Sequence, residues 1–249
     1  MESSLLLTWL CVFAYGHHVS SLLTKENIYQ KMEMVRENSS PDLIPAYGEP
    51  LSVGLTLDLS SIREVDIARG EVEILAMRTI SWTDPALSWS HDSDAGESGS
   101  ENFVSSFSMN TKYLWTPDIV AYNAIHAPEL LSPHIALVAA SGRILFVPNE
   151  RIRFRCNLEN FENAEGSNCT LKYGSWTYHA NILDLELNQN LFSTSSYEEN
   201  PNIELLAVFA EKNIRHYACC PDAYPDIEFT LNIRKRTNQG NLFGLNWKK

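Results

Sequence analysis

The sequence lacks every short motif that marks a common catalytic site. It contains no GxSxG, HExxH, Walker A or dinucleotide-binding fingerprint, and its 7 histidines are scattered. No pair of carboxylates stands out from the acidic background. These absences argue against an enzyme, and they predict neither a cofactor nor a metal ion.

Positive charge is scarce as well. The chain has 19 Lys and Arg against 31 Asp and Glu, which gives a formal net charge of −12. An acidic chain repels phosphate backbones, and this argues against nucleic acid as a partner. The same charge raises the concentration of cations near the protein surface.

Long apolar runs are missing. No stretch approaches the roughly 20 apolar residues that a membrane-spanning helix needs, so we expect no membrane partner. The short apolar run Leu5–Ala14 has the length of a signal peptide. It predicts secretion, with cleavage after Gly16 or Ser21, and a buried N-terminal helix is the alternative. Residues 1–21 would then be the signal, 22–240 the mature domain and 241–249 a C-terminal tail.

Cysteines are few, and their number is informative. Loss of the signal would remove Cys11 from the 5 cysteines, and an even remainder in an oxidising compartment predicts two disulfides with three possible connectivities. Adjacent Cys219 and Cys220 have Cα atoms about 3.8 Å apart, so a bridge between them needs a strained ring. If Cys156 pairs with Cys169, the adjacent pair is bridged or stays as thiols. A metal site with His216 is the weaker alternative.

Two sequons predict glycosylation at Asn38 and Asn168.

The apolar pattern changes along the chain from helical to extended. Residues Leu22 to Asn38 have helical spacing, with Thr24 as a candidate cap. After them, strict alternation predicts strands at Leu51–Leu59, Glu71–Ile80 and Asp226–Arg234, and a hairpin over Leu137–Phe146 that turns near Ser141-Gly142. Many short strands and one helix predict an all-β fold, an antiparallel immunoglobulin-like β-sandwich with one N-terminal helix. His91–Asn102 is predicted as a long exposed loop, and Asn188–Asn202 has a polar composition typical of a mobile segment.

Four motifs, in this order, resemble those of the ligand-binding domains of nicotinic-type receptors. They are Trp82-Thr83-Asp84 with Leu87 and Trp89, Trp115–Asp118 with Tyr122-Asn123, Gly174–Tyr178, and Tyr217–Tyr224 around the adjacent cysteines. The segment from Cys156 to Cys169 lies between the second and third motifs, as the Cys-loop of that family does. The resemblance covers most of residues 22–236, and it implies a Cys156–Cys169 disulfide and a vicinal Cys219–Cys220 disulfide.

Within that family, the chain resembles the secreted acetylcholine-binding proteins of molluscs more than a channel subunit. It ends soon after Arg234-Lys235-Arg236, where a channel enters its first membrane helix. The segment between Cys156 and Cys169 is hydrophilic, with Phe161 its single aromatic residue. Two alternatives stay open: the extracellular domain of a channel subunit, and a pentameric structural or carrier protein with weakened ligand binding.

The resemblance implies a homopentamer that binds a small cholinergic ligand between subunits. The principal face of each site would be an aromatic cage closed by the adjacent cysteines, and it would consist of Tyr122, Trp176, Tyr217, Cys219, Cys220 and Tyr224. The complementary face, on the neighbouring subunit, would consist of Met77, Leu137, Leu145 and Val147.

Met77 departs from the family pattern, because a tryptophan is usual at this position. Strand alternation places Met77 opposite the face of Val72, Ile74 and Ala76, where it can meet a neighbouring subunit. Methionine is polarizable but lacks the quadrupole of an aromatic ring, so we expect a shifted ligand preference or a weaker affinity. His179 is expected to be a structural neighbour of the third motif and not a base. The other motif tryptophans, Trp82, Trp89 and Trp115, are expected in the core.

Overall fold

A computed structural model describes residues 26–89, 104–187, 192–218 and 220–237. These residues form a mostly β structure with one N-terminal helix and two sheets, which confirms the fold class predicted from the sequence. They fall into two compact units. The first unit contains residues 26–52, 81–89, 104–117 and 134–146, and the second contains the rest of the described chain. The domain bounds 22–240 stay a prediction.

The helix and the strands are numbered here in chain order. The described part of helix α1 covers residues 26–38, so it ends where the sequence predicted, while its start and the expected signal lie outside the described residues. Two single 3-10 turns, Pro85–Leu87 and Thr111–Tyr113, interrupt the strands. The strands are β1 (Leu51–Asp66), β2 (Glu71–Thr83), β3 (Ser106–Asn110), β4 (Ile119–Ala121), β5 (Glu129–Leu130), β6 (Ile135–Ala139), β7 (Arg143–Phe146), β8 (Asn149–Arg155), β9 (Ser167–Ser175), β10 (Leu183–Glu186), β11 (Phe192–Ser193), β12 (Ile203–His216) and β13 (Ala223–Lys235).

The second unit is a sandwich of two layers. One layer is the sheet β12-β13-β9-β4, and the other contains β10, β1, β2, β8 and β5, with β11 paired in parallel to β1. Alternation buries one face of the central strands, as at Phe229 on β13, Tyr173 on β9 and Phe154 on β8, all 0% exposed. The rings of Tyr173 and Phe192 both contact Phe229 edge to face. This core fixes the outer face of the sheet β12-β13-β9-β4, from which the candidate site is built.

The first unit is centred on the antiparallel strands β3, β6 and β7. The hairpin between β6 and β7 turns at Gly142, which has a φ of 77°, a conformation that glycine adopts without strain. A Cβ atom at Gly142 would lie 2.4 Å from the carbonyl oxygen of Asp84, so this position also lacks room for a side chain. The hairpin predicted from the sequence is confirmed.

Three motif tryptophans form the core of the first unit, as expected. Trp82 and Trp115 are 2% and 4% exposed, and their rings meet edge to face at 6.2 Å. Trp89 stacks on Phe107 at 5.4 Å, and its indole N–H donates to the carbonyl oxygen of Val104. These three tryptophans are therefore packing residues of the core.

Two details differ from the pattern-based predictions. The first strand continues past Leu59 to Asp66, although Ser60-Ser61 interrupts the alternation, because Ile62 returns to the core at 1% exposure. The segment 188–202, whose composition is polar and typical of a mobile segment, contains β11, whose Phe192 pairs with Leu57. The predicted loop, His91–Asn102, lies outside the described residues.

Candidate functional site

Four aromatic residues of the second unit come together at the ends of neighbouring strands. Tyr122 directly follows β4, Trp176 follows β9, Tyr217 follows β12, and Tyr224 is the second residue of β13. Because these strands are neighbours in one sheet, their side chains converge although the residues are far apart in sequence. All four line one pocket of about 380 Å³, together with Lys172, Ser175 and Cys220.

The rings surround the pocket without filling it. The ring centroids of Tyr122 and Trp176 are 6.5 Å apart in a tilted arrangement. Those of Tyr217 and Tyr224 are 5.7 Å apart in an edge-to-face arrangement. Trp176 is nevertheless 71% exposed and Tyr217 is 44% exposed. Large exposed aromatic surfaces mark binding or interaction sites. The pocket is therefore open on the side of Trp176, where a ligand or another chain can reach it.

Asp118 holds the backbone and side chains that flank Trp176. Its carboxylate accepts hydrogen bonds from the hydroxyl of Ser175 and from both the N–H and the hydroxyl of Thr177, at 2.6 to 2.7 Å. The N–H of Trp176 donates to the carbonyl oxygen of Asp118. Hydrogen bonds to an ionised acceptor are roughly twice as strong as neutral ones. Trp176 is thus exposed but carried on a firmly braced backbone.

Tyr122 packs directly against the backbone of β9. Its hydroxyl donates to the carbonyl oxygen of Ser175 at 2.5 Å, and burial raises the pKa of Tyr122 to about 12, with the neighbouring Tyr217 and Asp226 adding to the shift. A Cβ atom on Gly174 would lie 2.4 Å from that hydroxyl. Position 174 therefore has to be glycine for Tyr122 to occupy this place. The sequence contained Gly174 within a motif but gave no reason for it.

Charged residues beneath the pocket form a network that sequence reasoning missed. Asp226, 1% exposed, forms ion pairs with Lys172 and with Arg215, both at 3.0 Å. Arg215 also donates to Glu228 at 2.8 Å, and Lys172 lies 3.4 Å from the same carboxylate. Two cations and two anions cancel, so the lysine that lines the pocket leaves little net positive charge to repel a cationic ligand. No local pattern reveals this network, because its members lie on three different strands.

His179 lies beside the cage and not inside it. Its ring contacts that of Tyr224 edge to face at 6.4 Å, and its Nε2 lies 3.8 Å from the Asp222 carboxylate. Asp222 also accepts from the side chain of Asn181, and the N–H of Ala180 donates to the carbonyl oxygen of Ala223. These contacts connect the segment after Trp176 to the hairpin between β12 and β13.

The tip of that hairpin is described only in part. Cys220 is disulfide-bonded and lines the pocket, while Cys219 lies outside the described residues. The vicinal bridge therefore stays a prediction. Within the described ranges, no group of three or more His, Cys, Asp or Glu side chains is placed to hold a metal ion.

The residues expected on the complementary face are aliphatic side chains that are partly exposed. In the second unit, Met77 is half-buried on the outer face of β2, opposite Ala76, and Val147 is 40% exposed. In the first unit, Leu137 and Leu145 are cross-strand partners of β6 and β7, and Leu137 is 40% exposed. Whether they meet a ligand depends on a second subunit and stays a prediction.

The Cys156–Cys169 disulfide that the family resemblance implies is present. Cys156 and Cys169 are bonded, with their Cα atoms 5.0 Å apart. Within the loop between them, Phe161 is buried while the side chains of Glu159, Glu162 and Glu165 are exposed. Asn38 and Asn168, the two sequon asparagines, are exposed as well; their glycosylation stays a prediction.

An aromatic pocket on a β-sandwich with a Cys-loop defines a class, that of extracellular receptor domains that bind small ligands without catalysis. Residues 28–237 match the family model described as "Neurotransmitter-gated ion-channel ligand binding domain". The chain belongs to this family. No helix among the described residues has the length and apolar character needed to cross a membrane.

Curated relatives include subunits of acetylcholine receptors. The chain is 28% identical over 217 residues to "Acetylcholine receptor subunit alpha-type acr-16" of Caenorhabditis briggsae, which covers 86% of this chain and 42% of the relative. It is 27% identical over 248 residues to "Neuronal acetylcholine receptor subunit alpha-9-I" of Oncorhynchus mykiss, covering 95% of this chain and 40% of the relative. For "Acetylcholine receptor subunit alpha-type acr-15" of Caenorhabditis elegans, the values are 31% over 193 residues, 76% and 38%. The chain thus spans about two fifths of the length of these relatives.

Proposed function

We propose that this protein is a secreted acetylcholine-binding protein that holds quaternary ammonium ligands in aromatic cages between the subunits of a homopentamer. The observation that carries the proposal is the pocket lined by Tyr122, Trp176, Tyr217 and Tyr224. A quaternary ammonium group has no N–H to donate, so aromatic faces are its natural partners.

The energies are of the right size for this ligand class. Each cation–π contact contributes about 0.5–2 kcal/mol, and tryptophan is the best partner. Four rings would supply much of the roughly −8.2 kcal/mol that a micromolar affinity requires. The acidic chain, with a net charge of −12, favours a cationic ligand over an anionic one. For a ligand with a protonated amine, the carbonyl oxygen of Trp176 is the proposed acceptor.

A second subunit would complete the site. Trp176 is 71% exposed in the single chain, and a cage with one open side holds a cation poorly because water keeps access to it. We propose that the neighbouring subunit covers this side with Met77, Leu137, Leu145 and Val147. Aliphatic side chains exclude water and so strengthen the cation–π contacts of the other face.

The loop closed by Cys156 and Cys169 favours a secreted protein over a channel subunit. Its glutamates face solvent, whereas a loop that presses on a membrane domain needs an apolar surface. The apolar run Leu5–Ala14 is compatible with a secretory signal. Sequencing the N-terminus of the secreted product tests this part of the proposal, and retention of the chain in the membrane fraction would contradict it.

A pair of ligands that differ only in charge tests the cage. Acetylcholine and its neutral carbon analogue, 3,3-dimethylbutyl acetate, have nearly the same shape. Isothermal titration calorimetry should find acetylcholine at least about tenfold tighter, since the analogue loses the cation–π contacts. Equal affinities, or no binding of either ligand, would overturn the proposed chemistry.

The second candidate function is that of the ligand-binding part of a receptor subunit, favoured by the names of the relatives and by the two fifths of their length that the chain spans. A transcript that continues into hydrophobic segments would establish it.

The third candidate function is that of a pentameric carrier with weakened ligand binding. Native mass spectrometry, together with the calorimetry above, distinguishes it from the proposed function. Pentamers without measurable acetylcholine binding would support the carrier.

A further inference from the structure

A buried ion pair in the second unit has no role in the pocket chemistry described above. Arg78 on β2 donates to Glu150 on β8 through two nitrogens, at 3.0 and 2.7 Å. The two side chains are only 11% and 6% exposed. The guanidinium group lies over the ring of Tyr173, 5.2 Å from its centroid. A buried ion pair is weak evidence for stability, because desolvation of the two charges offsets their attraction. Its position is therefore more informative than its energy.

The third donor of Arg78 reaches the strand that precedes Tyr122. Its Nη1 donates to the carbonyl oxygen of Ile119 at 3.0 Å. The bidentate contact with Glu150 fixes the plane of the guanidinium group. This orientation directs Nη1 toward the carbonyl oxygen of Ile119. With Nε, Nη1 and Nη2 all engaged, Arg78 connects β2 and β8 to β4.

Strand β4 is short and is paired on one side. It consists of Ile119–Ala121 and is the terminal strand of its sheet, next to β9. On either side of β4, the carbonyl oxygen of Asp118 accepts from the N–H of Trp176, just after β9, and the N–H of Tyr122 donates to the carbonyl oxygen of Lys172 on β9. In an antiparallel pair the bonding alternates, so Ile119 presents its carbonyl oxygen to the unpaired edge. Arg78 satisfies that oxygen.

We infer that Arg78, oriented by Glu150, is a positioning residue that holds β4 and thereby fixes Tyr122 in the cage. The inference rests on the proposed function for its ligand readout, but not for its structural readout. Arg78 also follows Met77, the residue whose side chain lies on the opposite face of β2. Strand β2 thus has Met77, a proposed complementary-face residue, on its outer face, and Arg78, which holds β4 of the principal face, on its buried face.

A paired substitution tests this role. Arg78→Met with Glu150→Leu replaces the buried pair by apolar side chains of similar volume, a change that folded proteins often tolerate. The matched control is Arg153→Met with Glu73→Leu, because Arg153 and Glu73 are also a hydrogen-bonded pair between β2 and β8. The other ion pairs of Arg153 are with Glu64 and Glu71 and not with β4. Arg78→Lys, which keeps the charge but loses the fork, is the second test variant.

The first readout needs no ligand. Amide hydrogen exchange over residues 119–123 should become about tenfold faster in both Arg78 variants and stay unchanged in the control, as expected for loss of a charged hydrogen bond. Acetylcholine affinity should fall on the order of tenfold in the same two variants only. Unchanged exchange at residues 119–123 in both Arg78 variants overturns the inference, as does equal acceleration in the control. If the wild type binds no acetylcholine, the proposed function fails while the exchange result still decides the role of Arg78.

Discussion

The two faces proposed for the ligand site are built on different physical principles. On the principal face, hydrogen bonds fix each ring or its backbone: Asp118 braces the segment of Trp176, and Tyr122 bonds to Ser175. On the complementary face, Met77, Leu137 and Leu145 lie in paired strands, but their side chains and that of Val147 are aliphatic and make no side-chain hydrogen bonds. A substitution on the first face therefore disturbs hydrogen-bonded neighbours, whereas each aliphatic side chain of the second face can be replaced by itself. We therefore expect cation recognition to reside in the first and ligand preference to be adjusted in the second.

The largest predicted effect is that of Trp176→Ala. Loss of the exposed ring removes the strongest cation–π partner and its contact area, so acetylcholine affinity should fall about 30- to 100-fold. The matched change on the other face, Leu137→Ala, should cost only a few-fold, because it removes water exclusion and not charge recognition. Calorimetry on both variants gives the comparison. Equal losses would mean that the two faces do not divide the work in this way.

Gly174→Ala should come next. The added methyl carbon would lie 2.4 Å from the hydroxyl of Tyr122, so the ring has to move, and overpacking of this kind costs about 1–3 kcal/mol. We expect roughly a tenfold loss of acetylcholine affinity. Tyr122→Phe is the control, because it keeps the ring and removes only the hydroxyl, and it should lose less. An unchanged affinity of Gly174→Ala would show that the exact place of Tyr122 is unimportant.

Met77→Trp sharpens the comparison from the other side. A tryptophan on the complementary face would add one cation–π contact of about 0.5–2 kcal/mol, which corresponds to a gain of roughly 2- to 30-fold. Quaternary ammonium ligands should gain more than the neutral analogue. Calorimetry with both ligands measures this difference. If affinity for the cation does not rise, Met77 is not in contact with the ligand.

The smallest effect concerns the titration of Tyr122. Its pKa is raised from 10.0 to about 12 by burial, so the folded state holds the proton more strongly than the unfolded state. The resulting contribution to stability is present in full below pH 10 and is lost between pH 10 and 12. Absorbance titration of the tyrosines should lose one late-ionising group in Tyr122→Phe. If the group lost in Tyr122→Phe instead ionises near the ordinary tyrosine pKa of 10.0, the burial of this hydroxyl is contradicted.

Local patterns predicted the main helix and several strands of the fold, but not strand β12 or the buried charged contacts between strands. The end of α1 at Asn38, the hairpin at Gly142 and the buried face of β2 followed from spacing and alternation. Strand β12 did not, because much of it is exposed, as at Phe209 and Ile214, and it shows no clear alternation. Arg78 lies on the buried side of β2, where a charged residue contradicts the expected pattern unless its partner is known.

The candidate site divides in the same way. The cage residues followed from motifs of a resembling family, which carry information from outside this sequence. The pairing of Lys172 and Arg215 with Asp226 joins residues of three strands, and the bond from Arg78 to Glu150 spans 72 positions. Such contacts depend on the tertiary fold, so no short window of sequence contains them.

The most direct test of the aromatic cage is a fluorescence titration with acetylcholine. Trp176 is the exposed tryptophan among rings that line the pocket, so a ligand bound there has to change its emission. The account predicts saturable quenching that is abolished in Trp176→Phe, whereas the buried Trp82 and Trp115 should contribute no response. The absence of any change at millimolar acetylcholine, or equal quenching in Trp176→Phe, would contradict it.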